Sequence, residues 1–153
     1  MAYTLVENQQ YNGTTQYGYF YLVVDDGSDA PPSNLLSTIY NAIDAVRPLT
    51  STFGVFHPSV VLADVSMTIT TAAGYDHAAT VSLVGTALKN YINSLPLGSL
   101  PLGTPLAWSR LTQVAYDASL SVTNVSAVRL NGDTADIATT HQQVVKAGTV
   151  SVA

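Results

Sequence analysis

Residues 52–70 read TFGVFHPSVVLADVSMTIT, and the way this stretch divides decides the fold. From Val61 to Thr70 the apolar residues Val61, Ala63, Val65, Met67 and Ile69 alternate with polar Asp64, Ser66, Thr68 and Thr70. A period of two puts one set on each face of a strand, so this is an extended segment with a single buried face. Pro58 cannot donate to a sheet ladder and is confined to breaks, bulges and edges. The stretch therefore contains two strands, Thr52–Phe56 and one from Val60 onward, separated at His57-Pro58-Ser59.

Upstream, Tyr17–Val24 (YGYFYLVV) is aromatic and β-branched and stops at Asp25-Asp26-Gly27, which predicts a strand ending in a turn. Leu35, Leu36, Ile39, Tyr40, Ile43 and Val46 recur at helical spacing between Pro31-Pro32-Ser33 and Pro48, predicting a helix with one apolar face. Residues 1–16 are polar, carry an Asn12-Gly13 turn pair and lack periodicity, so they read as a connector.

Downstream, Asp76 is placed to cap a second helix that carries Val81, Val84, Leu88, Tyr91, Ile92 and Leu95 and ends at Pro96. Pro96–Pro105 (PLGSLPLGTP) admits neither helix nor central strand and reads as an exposed loop. Thr104-Pro105 can open a short helix bearing Leu111, Val114 and Ala115, and Leu120–Leu130 then alternates as a strand that ends at Asn131-Gly132. The last stretch, Gln142–Val152, reads as an edge strand or arm.

This order predicts an α+β fold, a ferredoxin-like βαββαβ sandwich with an extra short helix and a C-terminal arm. The expected organisation is a connector over 1–16, the ferredoxin-like α+β domain over 17–131 and a C-terminal arm or edge strand over 132–153. A chain of 153 residues fits one such domain and needs neither disulfide nor metal for its stability.

Composition narrows the function. Charged residues are 10% of the chain, against about 25% in an ordinary soluble domain, so Ser, Thr, Asn and Ala make up much of the surface and suit packing against protein. Arg47, Lys89, Arg110, Arg129 and Lys146 are scattered and the net charge is −5, which argues against nucleic acid and anionic membrane as partners. The absence of Cys removes thiolate chemistry and Cys-ligated metal, and no apolar run approaches a membrane span.

No catalytic or cofactor constellation emerges. His57, His77 and His141 lie in separate segments without metal-ligand spacing. Asp25, Asp26 and Asp29 resemble half a calcium loop but lack its closing Glu, and a turn explains them. Asp44, Asp64 and Asp76 sit at element ends or on polar faces, with no reason in the sequence to converge. No G-x-S-x-G is present, and the glycines of the Pro/Gly loop lack a phosphate-binding arrangement. The expectation is a protein that is not an enzyme and takes no cofactor or metal. Its candidate contact residues are aromatic or loop-borne: Tyr11, Tyr75, Leu97, Leu100, Leu102 and Trp108.

Six features in order resemble the phage baseplate J-like family. They are Leu36–Pro48 (LSTIYNAIDAVRP), Phe53-Gly54-Val55 leading to Val60–Met67, the helix Val81–Leu95, the Gly103 loop with Trp108-Ser109-Arg110-Leu111, the strand with Asn124-Val125, and Gly148–Val152. The resemblance runs from about Tyr17 onward, and members that look like this are usually longer at the N-terminal side. It implies a non-enzymatic wedge subunit of a contractile tail baseplate, from a phage or prophage. Such a subunit is assembled in the bacterial cytoplasm into the virion, packing with wedge and hub proteins and with its own kind in a sixfold ring. Two alternatives stay open: a ferredoxin-like module binding a small molecule or acting as an enzyme, with His57 and Asp64 as the polar groups to converge, and a fibre fragment, against which the two helices argue.

Overall fold

In a computed structural model, the described residues are 1–28, 30–98 and 106–153. The strands are β1 (Ala2–Gln9), β2 (Thr15–Asp25), β3 (Thr52–Phe56), β4 (Ser59–Thr71), β5 (Val122–Leu130) and β6 (Gln143–Val152), and the helices are α1 (Ser33–Asp44), α2 (His77–Asn93) and α3 (Trp108–Ala118). The fold is α+β. Its strands form two three-stranded sheets, ordered β1-β2-β3 and β5-β4-β6, each with one antiparallel and one parallel pair.

This differs from the single ferredoxin-like sheet expected above, for two local reasons. Pro58 does separate β3 from β4, but the break sends them into different sheets instead of making them neighbours in one. Residues 2–9, expected as connector, form β1 and pair along β2 with Tyr3 opposite Val24 and Leu5 opposite Leu22. The hairpin turns at Asn12-Gly13: Gly13 has φ 89°, and Asn12 Oδ1 accepts from the Thr14 amide at 3.0 Å. The last stretch, read as an edge strand or arm, is the edge strand β6, running parallel to β4.

The C-terminal lobe carries the larger core. The inward residues of β4 pack with Val84, Leu88 and Ile92 of α2, Leu111 and Ala115 of α3, Val122, Val128 and Leu130 of β5, and Val145 of β6. Asp76 caps α2 as the sequence predicts, accepting from the amides of Ala78 at 2.8 Å and Ala79 at 3.2 Å. The α3 N-terminus is held from outside its own helix, by Asp136 Oδ1 accepting the Trp108 amide at 2.7 Å. The Thr104-Pro105 cap expected there lies outside the described residues, and the residue preceding α3 is Ala107.

The N-terminal lobe is thinner. By register, Phe20 and Leu22 of β2 share a face with Phe53 and Val55 of β3, and α1 lies over that face, with Tyr40 stacked on Phe53 at 4.5 Å and Phe20 on Phe53 at 5.3 Å. No residue of α1 is fully buried. The opposite face of the same sheet meets the C-terminal lobe through Tyr21 and Val23, which pack with Leu97 and Val144.

Candidate assembly surfaces

Most of the described polar groups that could carry chemistry are tied to a structural task. Asp44 pairs with Arg47 at 2.6 Å at the end of α1, and Asp76 is the cap of α2. Asp25 and Asp26 close a turn by accepting from the Gly27 and Ser28 amides, both at 2.9 Å. The Ser28 hydroxyl and amide hold the Asp26 carboxyl below its ordinary range. His57 Nδ1 lies 3.0 Å from the Pro58 carbonyl, and His77 Nδ1 lies 2.8 Å from Thr71 Oγ1. Among the described residues no group of three His, Cys, Asp or Glu gathers as a metal site.

Asp64 occupies a break in the β4–β6 ladder, where the register shifts between Ala63 and Val65. Its Oδ1 accepts from the Thr149 amide at 2.6 Å, and its own amide donates to Asn131 Oδ1 at 2.8 Å. The carboxylate thus replaces a carbonyl that the bulge has turned away. A Cβ on Gly148 would collide with that Oδ1, which is why a glycine stands there. Asn131 and Gly132 both have positive φ, 52° and 81°, as a two-residue turn of the primed type demands, and this places the Asn131 side chain beside β4.

The contact residues expected from sequence fall into three groups. Tyr11 and Leu97 lie at the junction between the lobes. Tyr11 stacks on Phe56 at 4.2 Å and meets Tyr21 edge-on at 5.6 Å. Gln142 Nε2 donates to the Tyr11 carbonyl at 2.6 Å and to Tyr21 Oη at 3.2 Å, and Thr4 Oγ1 donates to the His141 carbonyl at 2.7 Å. Desolvation, then the nearby Tyr21, pushes the Tyr11 and Tyr19 phenols above their ordinary range. Trp108 is half-buried against the C-terminal core, and its indole Nε1 donates to the Val128 carbonyl at 3.1 Å. Tyr75 stands 63% exposed after β4. Leu100 and Leu102 lie outside the described residues.

A surface missed in the sequence lies on the N-terminal sheet. Register puts Tyr3 and Leu5 of β1 on the α1 side, next to Val24 and Leu22, yet α1 does not reach them and they are 68% and 50% exposed. The signal is the β-prone run Tyr3-Thr4-Leu5-Val6, too short beside a polar tract to be read as a strand. Four clefts among the described residues are lined by other residues than His57 and Asp64, so none of these four supports the small-molecule alternative where it was expected.

Residues 63–153 match the family model described as Baseplate J-like protein C-terminal domain. The matched span begins within β4 and takes in α2, α3, β5 and β6, which is nearly all of the C-terminal lobe. No curated protein matches the chain.

Proposed function

The chain belongs to the baseplate J-like protein family, and from that premise we propose that it is a wedge component of a contractile tail baseplate whose task is assembly. The observation that carries this is the coincidence of the matched span with one structural lobe, the helix-backed sheet β5-β4-β6. The family supports a structural place in the phage tail baseplate. The wedge position, the sixfold association and the contractile machine are the finer parts of the proposal.

The surface chemistry is in keeping with it. Interfaces that hold a subunit in a stable assembly bury about 800 Å² on each partner. Their centres are depleted in charge and enriched in aromatics. The exposed Tyr3 and Leu5 face, the exposed Tyr75 and the low charge of the whole chain supply such ground. Assembly in the host cytoplasm fits a chain that needs no disulfide.

The test is co-expression with the other tail proteins of its own operon, followed by light scattering and electron microscopy of what co-purifies. Recovery in a ring or a wedge complex is the expected result. A monomer or closed dimer that ignores every tail protein, yet melts higher with a metabolite, would replace this reading with the ligand-binding one.

A further inference from the structure

β6 is an edge strand, and its two halves treat their outer backbone groups differently. In the first half the chain satisfies them itself: Asn93 Oδ1 accepts the Ala147 amide at 2.9 Å, and the Gly98 amide donates to the Gln143 carbonyl at 2.8 Å. In the second half the Ala153 amide donates to the Met67 carbonyl at 3.0 Å, and the Ala153 carbonyl accepts from Ile69 at 2.7 Å. Alternate residues of a parallel ladder turn both groups to the same neighbour, so Val150 and Val152 turn theirs outward. Among the described residues no partner meets them.

Beside that open edge runs a cleft of about 460 Å³, lined by Ser82, Gly85, Thr86 and Lys89 of α2 and by Val150 and Val152 of β6. Two of its features have no use among the described residues. Gly85 stands in the middle of α2, where a glycine is about 1 kcal/mol less favourable than alanine. Its φ is not positive, and an added Cβ would meet nothing within 4 Å, so neither backbone nor packing requires it. Lys89 is exposed and meets no acidic partner among the described residues, whose salt bridge joins Arg47 to Asp44.

We propose that this cleft receives an extended, acid-bearing segment of another polypeptide, which adds to β6 as a fourth strand. The Val150 and Val152 backbone groups supply the ladder, the bare Gly85 leaves room for a side chain of the incoming strand, and Lys89 meets its carboxylate. Strand addition of this type takes affinity from main-chain bonds and specificity from the flanking side chains. The inference is independent of the baseplate reading, since it would hold for any partner that presents such a strand.

The experiment pans a phage-displayed library of random heptapeptides against the full chain, then measures the enriched peptides by fluorescence polarisation and amide NMR. Expected are β-branched peptides with an acidic residue, which shift the Val150 and Val152 amides. Gly85→Leu should keep or raise the melting temperature while weakening them about tenfold or more by filling the cleft. Lys89→Gln should weaken them about threefold, the weight of an exposed ion pair, and panning on Lys89→Glu should select basic residues instead. The proposal falls if no peptide is enriched, if Gly85→Leu binds them equally, or if the shifted amides lie elsewhere. It also falls if the chain self-associates through this edge and Gly85→Leu abolishes that, since the occupant is then a second copy. Entry into baseplates tests the other reading separately.

Discussion

The two lobes use the same parts, a three-stranded mixed sheet and helix, to opposite effect. In the C-terminal lobe α2 buries Thr80, Val84, Leu88 and Ile92 against the sheet. In the N-terminal lobe α1 buries no residue completely, and its contact with the sheet is a short aromatic stack. Amphipathic patterning is present in both helices, so patterning alone does not decide how deeply a helix is buried. What differs is the number of layers that close over it: α2 is flanked by α3 above the same sheet, whereas α1 lies alone. The N-terminal lobe therefore leaves Tyr3 and Leu5 uncovered beside its helix, whereas the C-terminal lobe closes its core and keeps only separate apolar side chains such as Leu62, Tyr75 and Leu120 at its surface.

The sharpest way to break this comparison is to truncate the two helices in parallel. Leu88→Ala should lower unfolding free energy in denaturant by about 3 kcal/mol, the scale of a core cavity. Ile39→Ala, at a half-buried site of α1, should cost about 1 kcal/mol or less. Equal losses would mean that α1 is as deeply integrated as α2.

Next in size is the ladder break inside the larger lobe. Gly148→Ala should destabilise by about 2 kcal/mol through overpacking against Asp64. Asp64→Ala in the same chain should then add less than it does alone, because both remove one contact. Additive losses would show that the carboxylate does not substitute for the missing ladder bond.

The junction between lobes is smaller again. Tyr11→Ala removes the stack on Phe56, and its loss of about 1.5 kcal/mol should appear in amide exchange of β2 while Trp108 fluorescence unfolds almost unchanged. The raised phenols give this a pH sign: stability held by neutral Tyr11 and Tyr19 is full below the unfolded tyrosine value of about 10 and is lost as pH rises through their higher folded values. A junction unaffected well above that pH would argue that the phenols are not held there. The smallest effect is a gain: Ala127, at φ 51° in the bulge that frees the Val128 carbonyl for Trp108, should be about 0.5 to 1 kcal/mol more stable as Gly, read by melting temperature.

Most elements were legible because their signals are local. The Asp76 cap, the β4 alternation and the Asn131-Gly132 turn each act within a few residues, and the structure shows all three. The sheet assignment was not legible, because nothing near Pro58 states which strand β4 will join. That is settled by β6, which sends Val145 into one core and Val144 into the other from far along the chain. Tyr11, Leu97 and Trp108 stand out in the sequence as aromatic or loop residues, but whether such a side chain turns outward or meets its own chain depends on those same distant strands. Tyr3 and Leu5 escaped notice because their strand borrows its order from β2.

The parallel pairing of β4 with β6 joins positions as far apart as Ser59 and Gln143, whereas every strand pair of the first sheet lies within residues 2–56. Closing the long loop must precede any reward from the ladder, so the smaller sheet has the kinetic head start and the larger one forms late. Until it does, both long edges of β4 lie open in the nascent protein, and crowding at that stage is where misassembly would begin.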